Sequence, residues 1–280
     1  MLSGVRDSTE APVVHSVTVP LERAGFWRRV SGSRLAPWLV PIVLILLWQL
    51  AASLGWLSSR VAPSPLAVVL AAWQLISSGE IFVHLWASFA RALIGFFIGG
   101  ALGLVLGFLN GGFRVCERYL DTTIQMVRNV PHLSLIPLVI LWFGIDEAGK
   151  LFLVALGTLF PIYLNTFHGI RSVDRDLIEM GRSYGLSEWQ LFKKVILPGA
   201  MPSILVGVRF ALGFMWLTLI VAETISASSG IGYMAMTARE FMQTDIVVVA
   251  ILLYAVLGKL ADTASRALER RLLRWNPGFQ

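Results

Sequence analysis

Runs of about twenty apolar residues recur along the chain, and each is long enough to cross a hydrocarbon core of roughly 30 Å. No other feature limits the fold as strongly. In lipid every backbone N–H and C=O must be satisfied within the protein, so repeated apolar runs of this length cross as helices. Composition agrees. Of 280 residues 56% are hydrophobic and 14% are charged, against about 25% charged in an average soluble domain. Mean hydropathy is +0.72. These features define an all-α, polytopic integral membrane protein and exclude a soluble fold.

Six spans are expected, at about 37–55, 88–109, 122–143, 150–168, 200–224 and 246–262. Residues 1–34 are polar and irregular and read as a mostly disordered tail. Residues 35–280 form the membrane domain, with a transmembrane core at about 84–268. Arg28 and Arg29 before an apolar run also outline a secretory signal. The run at 37–55 is long and no small-residue cleavage site follows it, so a retained first helix is expected. Pro63, Pro65 and the apolar-periodic stretch 67–76 predict a short interfacial helix.

The net charge of +6 is placed unevenly. On a six-span topology, sixteen Lys and Arg share the side of the tail, the 110–121 and 169–199 loops and the C-terminus. Three, Arg60, Lys150 and Arg239, lie opposite. The positive-inside rule then predicts both termini in the cytoplasm. A basic balance in a membrane protein needs no nucleic-acid partner, and none is expected. The one cysteine, Cys116, permits no internal disulfide and no cysteine-based metal site.

The loop at 172–199 is too patterned for a connector. Asp174 can cap a helix in which Leu177, Gly181 and Tyr184 recur at helical spacing. Gly185 stands where a helix ends in the left-handed conformation. Ser187 and Gln190 match a capping box. A stripe of Leu186, Trp189, Phe192 and Val195 or Ile196 follows, until Pro198 breaks the pattern. Two readings stay open on physics alone: the apolar face lies on the bilayer or its own bundle, or it docks into a partner protein.

Three further features stand out. Gly95, Gly99, Gly103 and Gly107, four apart, make a smooth stripe for close helix packing. The third span holds Arg128, Asn129, Pro131, His132 and Pro137; two prolines there free backbone carbonyls, a break that survives where it lines a cavity. Arg209 falls at similar depth in the fifth span, and Arg128, Asn129, His132, Arg209 and Glu223 are candidate residues of a substrate pathway. Glu223 and Arg91 lie near the outer ends of their spans and can pair there, beside the glycine-flexible stretch SSGIGYM (228–234). That G-x-G has no preceding strand and no following Gly-Lys-Ser/Thr, so it is no phosphate loop. Neither a Ser/His/Asp set nor a metal-ligand cluster stands out, and no catalytic residue is expected. Mostly basic deep charges disfavour an ion-coupled secondary carrier, and the missing catalytic set disfavours an intramembrane enzyme.

Glu179, Gly185 six residues on, and Leu197-Pro198 twelve further on resemble the E-A-A-x-x-x-G…I-x-L-P motif of importer permeases of the ATP-binding-cassette (ABC) superfamily. The chain departs at Met180 and Gly181, where the family favours alanine, and at Val195, where it favours isoleucine. RNVPHLSLIPLVILWFGIDE (128–147), LFLVALGTLFPIYLNTFHGIR (151–171), VGVRFALGFMWLTLIVAETISASSGIGYMAM (206–236) and LLRWNP (272–277) resemble the permeases of bacterial aliphatic sulfonate importers. Taurine and nitrate permeases are similar over the same regions. The resemblance implies the six-helix fold of type I ABC importer permeases, with Glu179, Gly181, Gly185, Leu186, Trp189, Leu197 and Pro198 forming a cytoplasmic coupling element. It implies two ATPase subunits that carry ATP and Mg, a second permease copy as a homodimer, an extracytoplasmic substrate-binding protein and surrounding membrane lipid. It also implies that this chain binds no cofactor itself and performs no chemistry.

Overall fold

A computed structural model describes residues 36–58 and 61–275; the expected tail, 1–34, lies outside them. All regular structure among the described residues is helical. The chain divides into two units after Trp48. The boundary falls within α1 (Ala36–Ser53), an apolar helix of 18 residues that coincides with the first expected span. At 1.5 Å per residue it is about 27 Å long.

The larger unit begins with α2 (Pro65–Ser78), the expected short helix. Ser64 caps it by accepting the Ala67 N–H, Pro65 opens it, and Gly79 ends it at φ 80°. Then come α3 (Glu80–Gly112), α4 (Arg114–Asn129), a 3-10 turn at His132–Leu135, α5 (Ile136–Phe143) and α6 (Glu147–Arg171). The short helices α7 (Arg175–Ser183) and α8 (Glu188–Leu191) lead through a π turn, Phe192–Ile196, into α9 (Leu197–Ser226). Helices α10 (Ile231–Glu240) and α11 (Thr244–Leu272) complete the unit. Among the described residues four helical stretches are long and apolar enough to cross a membrane: α3, α6, Glu188–Ile225 and α11; α4 with the 132–143 segment makes a fifth.

Three expectations change. Span 122–143 is not straight, because its two halves meet at 80°. Only Pro131 causes the break: Val130 before it is forced extended, at φ −74° and ψ 121°. Pro137 sits in the first turn of α5, where a missing N–H leaves nothing unmade. Pro198 likewise does not break its helix. The π turn absorbs one extra residue, and Leu197-Pro198 open α9 within a continuous helix from Glu188 to Ile225. That helix is 38 residues, about 57 Å, long. Span 88–109 extends back to Glu80, giving 33 residues.

The core is a three-helix sandwich, with α6 between α3 and α9. A Cβ on Gly95 would lie 2.6 Å from Val154, one on Gly103 2.5 Å from the Leu159 carbonyl, and one on Gly107 2.6 Å from Thr166; at Gly99 it would strike the Ala155 carbonyl. The stripe read from sequence is therefore the α3–α6 contact, and it continues to Gly111 against Ile170. On the other side of α6, Gly157 meets Thr218 and Gly169 meets Ala200 and Ser203. Lipid supplies no hydrophobic drive between helices, so close backbone packing of small residues holds them. Ala92, Val154, Met215, Trp216 and Leu219 form the buried centre, with Tyr254 and Leu257 of α11 packed outside it.

Candidate functional site

Three structures lie along the long α8–α9 helix: an apolar joint at its start, a cavity at its middle and a polar clasp at its end.

The joint is built as its local sequence dictates. The Asp174 carboxylate accepts the Asp176 N–H at 2.9 Å. At the far end of α7, Leu186 N–H donates to the Gly181 carbonyl at 3.1 Å and Gly185 N–H to that of Arg182 at 2.9 Å. This is a Schellman stop, and it requires Gly185 at φ 77°. Both bonds of the Ser187–Gln190 capping box form. The apolar faces differ from the expected stripes. The inward residue of α8 is Leu191, fully buried, and it lies over Gly181, where a Cβ would approach it to 2.7 Å. Ile178, Val195 and Leu197 pack on a core of Ile170, Val173, Ala200 and Ile204. Leu177, Met180, Tyr184 and Trp189 point outward instead, Tyr184 80% and Trp189 70% exposed. The pair thus has two apolar faces, one on its own bundle and one uncovered. Glu179 is exposed beside the second, and Pro198 is half-buried at the root of the pair.

At the break after Pro131 the chain leaves an open cavity of about 330 Å³. Its polar wall is Arg128, His132 and Asn165; its apolar wall includes Phe160, Phe210 and Phe214. His132 Nε2 lies 3.2 Å from Thr218 Oγ1, which fixes the imidazole against α9. Asn165 donates to the Pro161 carbonyl at 2.8 Å. Behind the cavity, Asn110 donates to Tyr163 Oη at 2.8 Å, and that hydroxyl donates to Asp121 at 3.1 Å, tying α3, α6 and α4 together.

The clasp joins five segments. Glu223 of α9, 1% exposed, accepts from Ser88 Oγ at 2.7 Å, Arg91 Nη1 at 2.7 Å, the Gly232 N–H at 2.9 Å and Tyr254 Oη at 3.0 Å. Arg91 donates further to Glu147, by Nε at 2.5 Å and Nη2 at 2.8 Å, and to the carbonyl and hydroxyl of Ser229. Its five N–H groups make five bonds, the full capacity of a guanidinium. Lys150 approaches Glu147 at 3.0 Å. Ser88 Oγ also accepts the Ile231 N–H, and His84 Nδ1 accepts that of Gly230. The expected Arg91–Glu223 pair is present. The SSGIG stretch, however, is a fastened loop and not a flexible one. Its glycines serve close approach, since a Cβ on Gly230 would strike the Glu223 carboxylate and one on Gly232 would lie 2.6 Å from Glu223 Cβ.

Of the five pathway candidates, Arg128 and His132 meet in the cavity. Asn129 is exposed at the end of α4. Glu223 lies 14 residues, about 21 Å, along α9 from Arg209 and is sealed in the clasp. Arg209 faces away from the cavity that its neighbour Phe210 lines, and pairs with Glu269 of α11 at 3.3 Å. Consecutive residues on a helix point about 100° apart, so the two arginines do not share one wet space. Sequence reasoning missed Asn165, Glu147 and Ser88. Asn165 four residues after Pro161 in an apolar helix was the available signal; the other two depend on tertiary contact. Among the described residues no group of three His, Cys, Asp or Glu could hold a metal ion.

The chain belongs to the family of binding-protein-dependent transport system inner membrane components, which it matches over residues 99–274. It is 69% identical, over 88% of its length and 94% of the relative's, to the putative aliphatic sulfonates transport permease protein SsuC of Escherichia coli (strain K12). It is 36% identical, over 85% of its length and 88% of the relative's, to the taurine transport system permease protein TauC of the same strain. Its fold is similar to that of an amino acid ABC transporter solved with histidines, with a TM-score of 0.59 at 18% identity over 74% of this chain and 97% of that one.

Proposed function

We propose that this chain is the membrane-spanning subunit of an ABC importer for aliphatic sulfonates. The observation that carries the proposal is the continuous 38-residue helix with an uncovered apolar joint at one end and a clasp at the other. The joint, at the Lys- and Arg-rich end, faces the cytoplasm, α1 is a sixth span, and both termini are cytoplasmic. Leu177, Met180, Tyr184 and Trp189 seat in an ATPase subunit, which holds ATP and Mg; this chain holds neither and performs no chemistry. Two copies of the permease and two of the ATPase make the transporter, and an extracytoplasmic protein delivers the cargo to the clasp end. Closure of the ATPases moves the joints. Because α8 runs into α9 without a break, that motion reaches the Phe210 and Phe214 wall of the cavity and then Glu223. Arg128 and His132 offer charge-assisted bonds to a sulfonate as it passes. Sulfonate is favoured over taurine because identity to the sulfonate permease is 69% and to the taurine permease of the same bacterium 36%.

The test is uptake in a strain whose own sulfonate permease gene is deleted, with its ATPase and binding protein retained. This chain should restore growth on ethanesulfonate as sole sulfur source. Arg128→Gln should slow uptake while ATPase copurification stays unchanged. Restoration of taurine uptake alone would overturn the substrate, and an assembled complex that transports neither would overturn the proposal.

A further inference from the structure

Away from the cavity and the clasp, Arg209 of α9 and Lys259, Arg266, Glu269 and Arg270 of α11 line a recess of about 480 Å³. Two carboxylates border it. Glu269 pairs with Arg209 at 3.3 Å, and Asp262 takes Arg266 at 2.7 Å with Lys259 at 3.9 Å. Four cations against two carboxylates leave a surplus of two positive charges. The height of the recess is set by α11. Six charged residues fall in its last fourteen positions, 259–272, whereas Asp245 is the only one in 244–258. Such a band cannot lie in hydrocarbon, so the membrane boundary passes near Lys259; Arg209, beside Glu269 ten residues further along α11, lies on the polar side of that boundary and not at mid-span.

One exposed face of α11 crosses this boundary. Leu252 and Val256 are exposed above it, and Lys259, Thr263, Arg266 and Arg270 are exposed below, at spacings of four, three, four, three and four. That sequence of apolar face, boundary and cationic recess matches the shape of a phospholipid, with acyl chains above and phosphate below. Basic recesses between transmembrane helices are suited to anionic headgroups. We propose that this recess is a binding site for a phospholipid of net negative headgroup charge. Its phosphate sits between Arg209, Lys259 and Arg266, and its acyl chain runs along Leu252 and Val256.

The test uses the full-length permease purified in detergent, stripped of lipid, and titrated in native mass spectrometry with phosphatidylglycerol and phosphatidylethanolamine of identical acyl chains. Phosphatidylglycerol should bind about tenfold more tightly, and the Lys259→Gln/Arg266→Gln pair should weaken it about thirtyfold, each basic group near the surface contributing about fivefold. The charge-preserving Lys259→Arg/Arg266→Lys pair should keep the preference. So should Arg114→Gln/Arg118→Gln, which neutralises basic residues elsewhere at the same end. Thr263→Glu places a carboxylate in the recess on an exposed position, and should abolish the preference even if the Gln pair does not purify. Equal binding of the two lipids, or wild-type binding by Thr263→Glu, would overturn the site. Displacement of phosphatidylglycerol by millimolar inorganic phosphate or ethanesulfonate would also overturn it, because the recess would then bind soluble anions.

Discussion

The two ends of the α8–α9 helix are built on opposite rules. At the clasp, Arg91 and Glu223 are buried and each carries a full set of hydrogen bonds. At the joint, Tyr184 and Trp189 stand out from the chain, and the one ion pair there, Arg182–Glu188 at 3.3 Å, is largely exposed. A buried, fully bonded charge cluster is costly to disturb by halves, so the clasp resists partial opening. An exposed salt bridge contributes little, so the joint's rigidity comes instead from its caps, its Schellman turn and Leu191. The contrast teaches where each region is covered: the clasp by this chain's own segments, the outward face of the joint by nothing in this chain, which is the face the proposed ATPase contact would use.

Mutations should separate the two rules. The largest loss should follow Arg91→Leu, which leaves the buried Glu223 without a cation, while the exposed Glu147 keeps Lys150. Removing one partner of a buried pair costs about 3–5 kcal/mol, read as a fall in the thermal midpoint of the purified permease. A variant within a degree of wild type would remove the clasp from the account. Gly230→Ala should cost about 1–3 kcal/mol, because its backbone, at φ 118°, is one a side chain resists and its Cβ would strike Glu223. Loop 227–231 should then become a site of limited proteolysis. Gly185→Val has open space around it, so its cost is the left-handed backbone alone, about 1–2 kcal/mol. Copurified ATPase should fall with it. Trp189→Ala should leave the stability of the isolated permease within about 0.5 kcal/mol yet reduce ATPase copurification sharply. A large loss of stability with normal copurification would reverse the assignment of that face.

The joint was the more legible end. Its cap, its glycine stop and its capping box are contacts within five residues, and the letters Asp174, Gly185, Ser187 and Gln190 state them directly. Which of its apolar residues turn inward was not legible, because Leu191 is chosen over Trp189 by the placement of Gly181 and Val195 across the turn. The clasp was half legible. Arg91 and Glu223 attract notice as charges in apolar runs, whereas Ser88, Glu147 and the Ser229–Gly232 backbone meet them only through tertiary packing. The π turn left no mark in the residue types, since one added residue changes phase and not composition. The pairing of Arg209 with Glu269 was not legible either, because it depends on how α11 packs beside α9.

The central claim is that α8 and α9 act as one rod between joint and clasp. It is tested most directly by inserting Gly-Gly between Ile196 and Leu197 in the assembled transporter, with Cys116→Ser and Ile231→Cys as the reporter. Ile231 is fully buried beside the clasp, so the new thiol reacts only when the clasp opens. In the uninterrupted transporter, ATP with binding protein and ethanesulfonate should raise its labelling rate. With the flexible insert, the ATPase should still copurify and hydrolyse ATP, but the ATP-dependent rise in labelling should vanish and uptake with it. Retained labelling and uptake in the Gly-Gly variant would contradict the rod.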